Sequence, residues 1–553
     1  METNSFVEAM GFRPTTFTEN GAITLSTTSS NLVDQFGKAG NYRGRTIGDV
    51  FYDQAQIWKE NPEAALRFPF YLRMVTRKVK VNKSTSTDKV QNGQGARDES
   101  FKRLLWVARH QRDSFYKNIW LLPLVGSWKD LWQLMFYDVK ENLNVLDHKA
   151  IFNLLMDGLK EENHVDLVKK FMPRIKSKSK LTTDWTKITN QLAKEFSTYM
   201  GLSVKEYNKL KATGTAHDFQ KLICGRRYDE LNWNLIPGKA LNLLVTSKFL
   251  KNHDLTQKYN EWIMEKPVAK FTGYVFELAK KARQAVNAYS FSDMRSNNNT
   301  IPFEVKYTLD AQFNQLVSQA KQDGRINENI LVALDTSGSM SRKVEGLNNV
   351  CCGDIATSLA LFFGALNEGA FHNKIMMFDD TSYPFEFKSE SFCDNVMSLP
   401  GVPCGGTNFQ SVIDEIVKIR VAKPEIPLEE YPNTILVVSD MQFNPTAWHL
   451  YGRRGEECNL ERAKRTLSQV FPQDFVDNMK FIWWDCASRR QTFEATAFES
   501  GITFLSGFDG SIINTLMGME KVLDEKTGEY RNPTAEEVVE RALSQEILNY
   551  LQL

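Results

Sequence analysis

Cysteine is scarce in this 553-residue chain: there are seven, an odd number, and none stands in a C-x-x-C pair. This usage excludes a disulfide framework and a zinc knuckle and points to a reducing compartment. Long apolar runs are missing as well. The longest, such as LALFFGAL at 359–366, falls well short of the roughly 20 residues that cross a bilayer. The opening METNSFVEAMGF has no basic stretch followed by an apolar core, so no secretory leader is expected. A cytoplasmic protein without a membrane partner is the expectation. Net charge is nearly absent: 68 Lys and Arg against 67 Asp and Glu leave +1, so any nucleic-acid signal must be local. The sequence has no G-x-S-x-G, and no acid–base pair or activated nucleophile stands out, so an enzyme is not predicted.

What is present is ordinary globular material, 42% hydrophobic and 24% charged. The length suggests about three or four domain-sized units. The pattern changes near residue 325. Before it, apolar residues recur at helical spacing, as in Leu104, Leu105, Val107 and Ala108, then Trp128, Leu131, Leu134 and Met135. After it, short β-rich runs (NILVALD, NKIMMF, TILVVSD, KFIWWD, GITFL) alternate with helical segments, which predicts a parallel sheet covered on both faces. The expected division is an all-α domain over 1–325, an α/β domain over 326–520, and an amphipathic docking helix within 521–553. Val538, Val539, Ala542, Leu543, Ile547 and Leu548 would form one face of that helix.

Two predicted strands end on carboxylates, Asp335 and Asp440, at the edge where such sheets bind ligands. Ser337 and Ser339 follow the first, and Thr407 lies between them in the Gly-rich PCGGTNFQ. A polar turn would explain the first loop alone. Five oxygen donors from three loops, with no imidazole or thiolate, instead suit Mg²⁺ or Mn²⁺. The pattern D-x-S-x-S, then Thr, then Asp resembles the metal-ion-dependent adhesion site of von Willebrand A domains. That resemblance implies Asp335, Ser337, Ser339, Thr407 and Asp440 as metal ligands, direct or through water. It also implies a protein partner that completes the shell with an acidic residue. His449 reads as a solvated loop histidine, Asp379 and Asp380 as turn-formers, Cys404 as a packed loop thiol, and Cys351 and Cys352 as core.

TENGAITLSTTSSNLVDQF, GQGARDES, NIWLLPLVGSWKDLWQLM and DELNWNLIPGKALN resemble stretches of the Ro autoantigen family. In that family a TROVE-type, HEAT-like helical-repeat domain, ring-shaped, is joined to a von Willebrand A domain. The resemblance implies RNA as a partner, with no DNA specificity. Local charge agrees: Arg73 to Arg109 hold ten Lys or Arg against three acids, and Lys169 to Lys180 hold six against none. The candidate RNA-binding residues are Lys78, Lys80, Arg97, Lys102, Arg103, Lys209, Lys211, His217, Arg226 and Arg227, with the first cluster expected to outweigh Lys169 and Lys170. The competing reading of each run is a solvated helix face, and of the whole chain a metal-dependent protein-interaction scaffold with no RNA role.

Overall fold

ILVALD, TILVVS and KFIWWD carry apolar side chains at successive positions, so a strand built from them needs cover on both faces. The computed structural model has ten principal strands: β1 (Thr15–Phe17), β2 (Ile23–Leu25), β3 (Arg77–Val79), β4 (Lys89–Gln91), β5 (Ile330–Asp335), β6 (Lys374–Phe378), β7 (Ser382–Glu386), β8 (Thr434–Ser439), β9 (Lys480–Asp485) and β10 (Ile502–Ser506). It describes every residue except 1–14, 43, 76, 80–88, 215–217, 266–270, 287–299, 324–328, 345–346, 400–404, 446–456, 488–491, 509–520 and 525–527. Six strands form one sheet in the order β10-β9-β8-β5-β6-β7. All neighbours in it are parallel except β6 and β7. The central strands β5 and β8 are buried at all six positions. β7 is the strand of this sheet that the predicted β-rich runs do not include. Its Pro384 cannot donate to a ladder and is tolerated because β7 is an edge strand.

The chain divides into two compact units, and the division does not fall at residue 325. One unit comprises residues 1–42 and 233–542; the other comprises 43–232 and 543–553.

In the α/β unit, the helices Val275–Ala285 and Phe303–Asp323, expected in the all-α domain, pack on Cys352–Leu366 and Phe392–Ser398. The Phe313 and Phe392 rings stack at 4.4 Å. The N-terminal segment also belongs here. Its helix Asn31–Ala39 lies along β10, with Ser30 as N-cap. Gly40 ends that helix so close to the sheet that a Cβ would sit 2.5 Å from the Ser506 carbonyl oxygen. The β1–β2 hairpin is bonded to Phe493 through Leu25, N–H to carbonyl in both directions at 2.8 and 2.9 Å.

Several helices of the helical unit start where capping residues stand. Asn61 with Pro62 opens Pro62–Arg73, a Thr183 box opens Asp184–Tyr199, and a Ser203–Glu206 box opens Val204–Ala212. Its core contains buried charge as well as apolar side chains. Arg73 Nε meets Asp130 at 2.7 Å, and Arg103 meets Glu99 at 2.8 Å and Gln54 at 3.2 Å. The C-terminal tail docks here through reciprocal side-chain–backbone pairs, Asn92 with Gln545 and Asn118 with Gln552. The expected terminal helix is shorter than its apolar pattern: Ala535–Leu543 is α-helical, and Ile547 and Leu548 are buried on a separate 3₁₀ turn, Glu546–Tyr550. Among the described residues no helix is long and apolar enough to cross a membrane.

Candidate metal centre and nucleic-acid face

β5 and β8 are neighbours, so their carboxyl ends deliver Asp335 and Asp440 to one edge of the sheet. Both are buried, at 2% and 3% exposure. Asp335 accepts from the Ser337 N–H at 2.8 Å and the Ser439 hydroxyl at 2.5 Å. Asp440 accepts from the Ser339 hydroxyl at 3.1 Å, and the Ser337 and Ser339 hydroxyls lie 3.1 Å apart. The Thr407 loop is tied to this pair: Gly338 N–H donates to the Gly405 carbonyl at 3.2 Å. Thr407 is buried, and its hydroxyl has no hydrogen-bond partner among the described residues.

Burial and then the charge of Asp440 push the Asp335 carboxyl up to about 7; burial raises Asp440 as well. Two carboxylates hidden from water and three hydroxyls, that of Thr407 orphaned, form a hard donor set short of positive charge. No group of three or more His, Cys, Asp or Glu side chains suited to a metal forms among the described residues, so the hydroxyls are needed to complete such a set. The five residues fit a divalent cation such as Mg²⁺ or Mn²⁺.

Of the supporting residues, Asp380 reads from the sequence as a turn-former, and Ser439 escaped sequence reasoning. Asp380 accepts from Gly406 N–H at 2.8 Å and its carbonyl accepts from Asn408 at 3.0 Å, which holds the Thr407 turn in place. A Cβ on Gly405 would lie 2.7 Å from Asp380 Oδ2, so a larger residue there would displace the Asp380 carboxylate. Ser439 fixes the second oxygen of Asp335. Its signal was available, since a serine preceding the strand-end aspartate is unusual in an otherwise aliphatic run. Cys352 is buried and Cys351 is half-buried. His449 and Cys404 lie outside the described residues.

The RNA candidates separate into two groups. Lys102 and Arg103 are buried in the helical unit and require correction. Lys102 bonds Asp98 at 3.0 Å and the Arg45 carbonyl, and Arg103 is wholly enclosed against Glu99. Their charge is neutralised inside the fold and no phosphate reaches it. The i,i+4 pairs Asp98–Lys102 and Glu99–Arg103 were legible in the sequence and account for this. Arg97 is half-exposed, 3.9 Å from Asp130. Lys78 lies on β3; Lys80 and His217 lie outside the described residues. Arg226 and Arg227 are exposed, Arg227 near Glu230 at 3.4 Å.

Lys209 and Lys211 are brought against the run at 169–180. Asn208 bonds both backbone groups of Ile175, at 3.1 and 3.0 Å, and Lys211 reaches the Lys170 carbonyl at 3.2 Å. Two segments thus form one face, with Arg174, Lys176, Lys178, Lys180 and Lys209 exposed. Burial and then the Arg174 guanidinium push the Lys211 ammonium below its ordinary range.

Fold and site together define a two-part protein: a helical unit, and a doubly wound α/β unit with an oxygen-donor cluster at its sheet edge. Residues 329–549 match the family described as Domain of unknown function (DUF7788). The chain is 20% identical over 541 residues to Uncharacterized protein L728 of Acanthamoeba polyphaga mimivirus, covering 91% of this chain and 85% of that protein. It also aligns with the crystal structure of Deinococcus radiodurans RO (RSR) protein at 15% identity, over 82% of this chain and 98% of that one, with a TM-score of 0.38.

Proposed function

We propose that this chain is a non-enzymatic, Ro-like RNA-binding protein whose helical unit holds RNA and whose α/β unit binds a protein partner through a divalent metal. The observation that carries the RNA half is the segregation of charge. The helical unit holds 34 Lys and Arg against 23 Asp and Glu, a net +11; the α/β unit holds 34 against 44, a net −10. The whole-chain value of +1 therefore conceals a strongly basic unit, which suits a polyanion. Within it, the face at 169–180 and 205–211 offers exposed cations without a facing acid row. Phosphate neutralisation there makes binding fall steeply with salt.

In the metal half, Asp335 and Asp440 supply charge and Ser337, Ser339 and Thr407 supply neutral oxygens. A Mg²⁺ or Mn²⁺ ion bound there would supply a hard positive centre with at least one exchangeable position for a partner's carboxylate. Asp380 and Ser439 hold the ligand loops in register before any ion arrives. The test of the RNA half is filter binding of structured and single-stranded RNA across a salt series. Lys176→Glu/Lys178→Glu/Lys180→Glu should abolish most affinity. Absence of RNA affinity in the unmodified chain at low salt would leave only a metal-dependent interaction module. For the metal half, Asp335→Ala or Asp440→Ala should remove Mg²⁺ binding in calorimetric titration, and unchanged affinity in both refutes the site.

A further inference from the structure

The turn between β1 and β2 comes from the far end of the sequence, yet it is fastened to two of the loops just described. Thr18 donates its hydroxyl to the Phe443 carbonyl at 2.7 Å, and Asn20 donates to the Gln442 carbonyl. Glu19 N–H donates to Gln442 Oε1 at 2.7 Å, and Gln442 Nε2 donates to the Asp440 carbonyl at 3.3 Å. Met441 supports this arrangement with φ of 59°, a left-handed conformation that a non-glycine residue adopts only when its surroundings enforce it. On the other side, Arg342, three residues beyond Ser339, pairs with the Glu19 carboxylate at 2.5 Å. Its own N–H returns to the Ser339 carbonyl at 3.0 Å.

The result is a turn whose backbone stands two hydrogen bonds from the Asp440 carbonyl and whose carboxylate is paired with the Arg342 guanidinium. Glu19 and Arg342 remain partly exposed, at 29% and 38%, so the pair can exchange partners without unpacking the core. A carboxylate is the chemical group that the exchangeable metal position is read to accept.

We propose that Glu19 is an internal competitor for that position, held off the ion by Arg342, so that the partner's carboxylate must bind in competition with a resident one. The proposal rests on the metal reading above. It assigns Arg342 and Glu19 as residues that set selectivity: only an acidic group presented strongly enough to exclude Glu19 gains the position. Arg342, released or retained, decides how strongly Glu19 competes.

The test uses the full chain and Mn²⁺ alone, with affinity from calorimetry and the number of ion-bound waters from water-proton relaxation. Arg342→Gln removes that guanidinium from the Glu19 carboxylate and should tighten Mn²⁺ by roughly tenfold, as an added intramolecular ligand does. It should also remove one bound water. In Glu19→Gln/Arg342→Gln the tightening should largely vanish and the water return. If the double variant binds as tightly as Arg342→Gln, the gain is only the lost positive charge and the competitor role is wrong. It is equally wrong if Arg342→Gln leaves affinity and water count unchanged. If the unmodified chain binds no Mn²⁺ and Asp440→Asn behaves identically, the metal reading itself falls and takes this proposal with it.

Discussion

Replacing Thr407 by valine should change stability in opposite directions with and without metal. The side chain is 1% exposed and its hydroxyl is unpartnered among the described residues. A buried hydroxyl in that state costs about 1–3 kcal/mol, and valine keeps nearly the same shape without it. In EDTA, Thr407→Val should therefore stabilise the chain by about 1 kcal/mol. In saturating Mg²⁺ the hydroxyl gains its partner, and the advantage reverses. A ligand at 100 times its Kd adds about 2.7 kcal/mol to the native state, and a tenfold loss of affinity reduces that increment to about 1.4 kcal/mol. Urea denaturation of both proteins, each in EDTA and in Mg²⁺, measures all four terms. If valine destabilises the EDTA form by more than about 1 kcal/mol, the hydroxyl has a structural role. If the Mg²⁺ increment is the same in both proteins, Thr407 does not serve the ion. Either result refutes the reasoning.

Other substitutions probe separate features. Arg103→Met leaves Glu99 buried beside fewer cations and should cost roughly 3 kcal/mol in urea denaturation, while RNA affinity of the folded protein stays unchanged in filter binding. Lys176→Glu/Lys178→Glu/Lys180→Glu should flatten the plot of log affinity against log salt by about 2, if each lysine neutralises one phosphate. Glu494 is fully enclosed, and burial pushes its carboxyl up to about 7 from an ordinary 4.5. Between those values the folded state retains a proton that the unfolded state has lost, so stability falls as pH rises through this window and is level above it. Glu494→Gln should remove its share of the fall, a difference of about 3 kcal/mol from the unmodified chain between pH 4.5 and pH 8 by denaturation at each pH.

The parts legible in the sequence are those fixed by short-range pattern. The aliphatic runs of β5 and β8 need cover on both faces and could hardly be anything but central strands. The carboxylates that end them follow from the same reading, because strand direction decides which edge they reach. Residues that act across long separations were not legible. Glu19 meets Arg342 over 323 positions, and Thr18 meets Phe443 over 425. Neither pairing leaves a trace in local spacing. Lys102 and Arg103 failed for another reason. Charge density was counted without asking which cations already had acids one helical turn away.

The α/β unit is nested around the helical one in sequence, and this governs how the chain is made. The helix Asn31–Ala39 must wait for β10, whose first residue is made 460 positions after Tyr42. At roughly 5–20 residues per second that is about 20–90 s of synthesis. The intervening helical unit can mature first, with an apolar helix still seeking its sheet on the finished side of the chain. A fragment cut at residue 326 would never receive that helix. Its β10 face, which Gly37 and Gly40 approach too closely to leave room for a Cβ, would be left as an open apolar surface. Expressing the sheet-bearing portion alone therefore calls for the first 42 residues to be supplied in trans or fused by circular permutation.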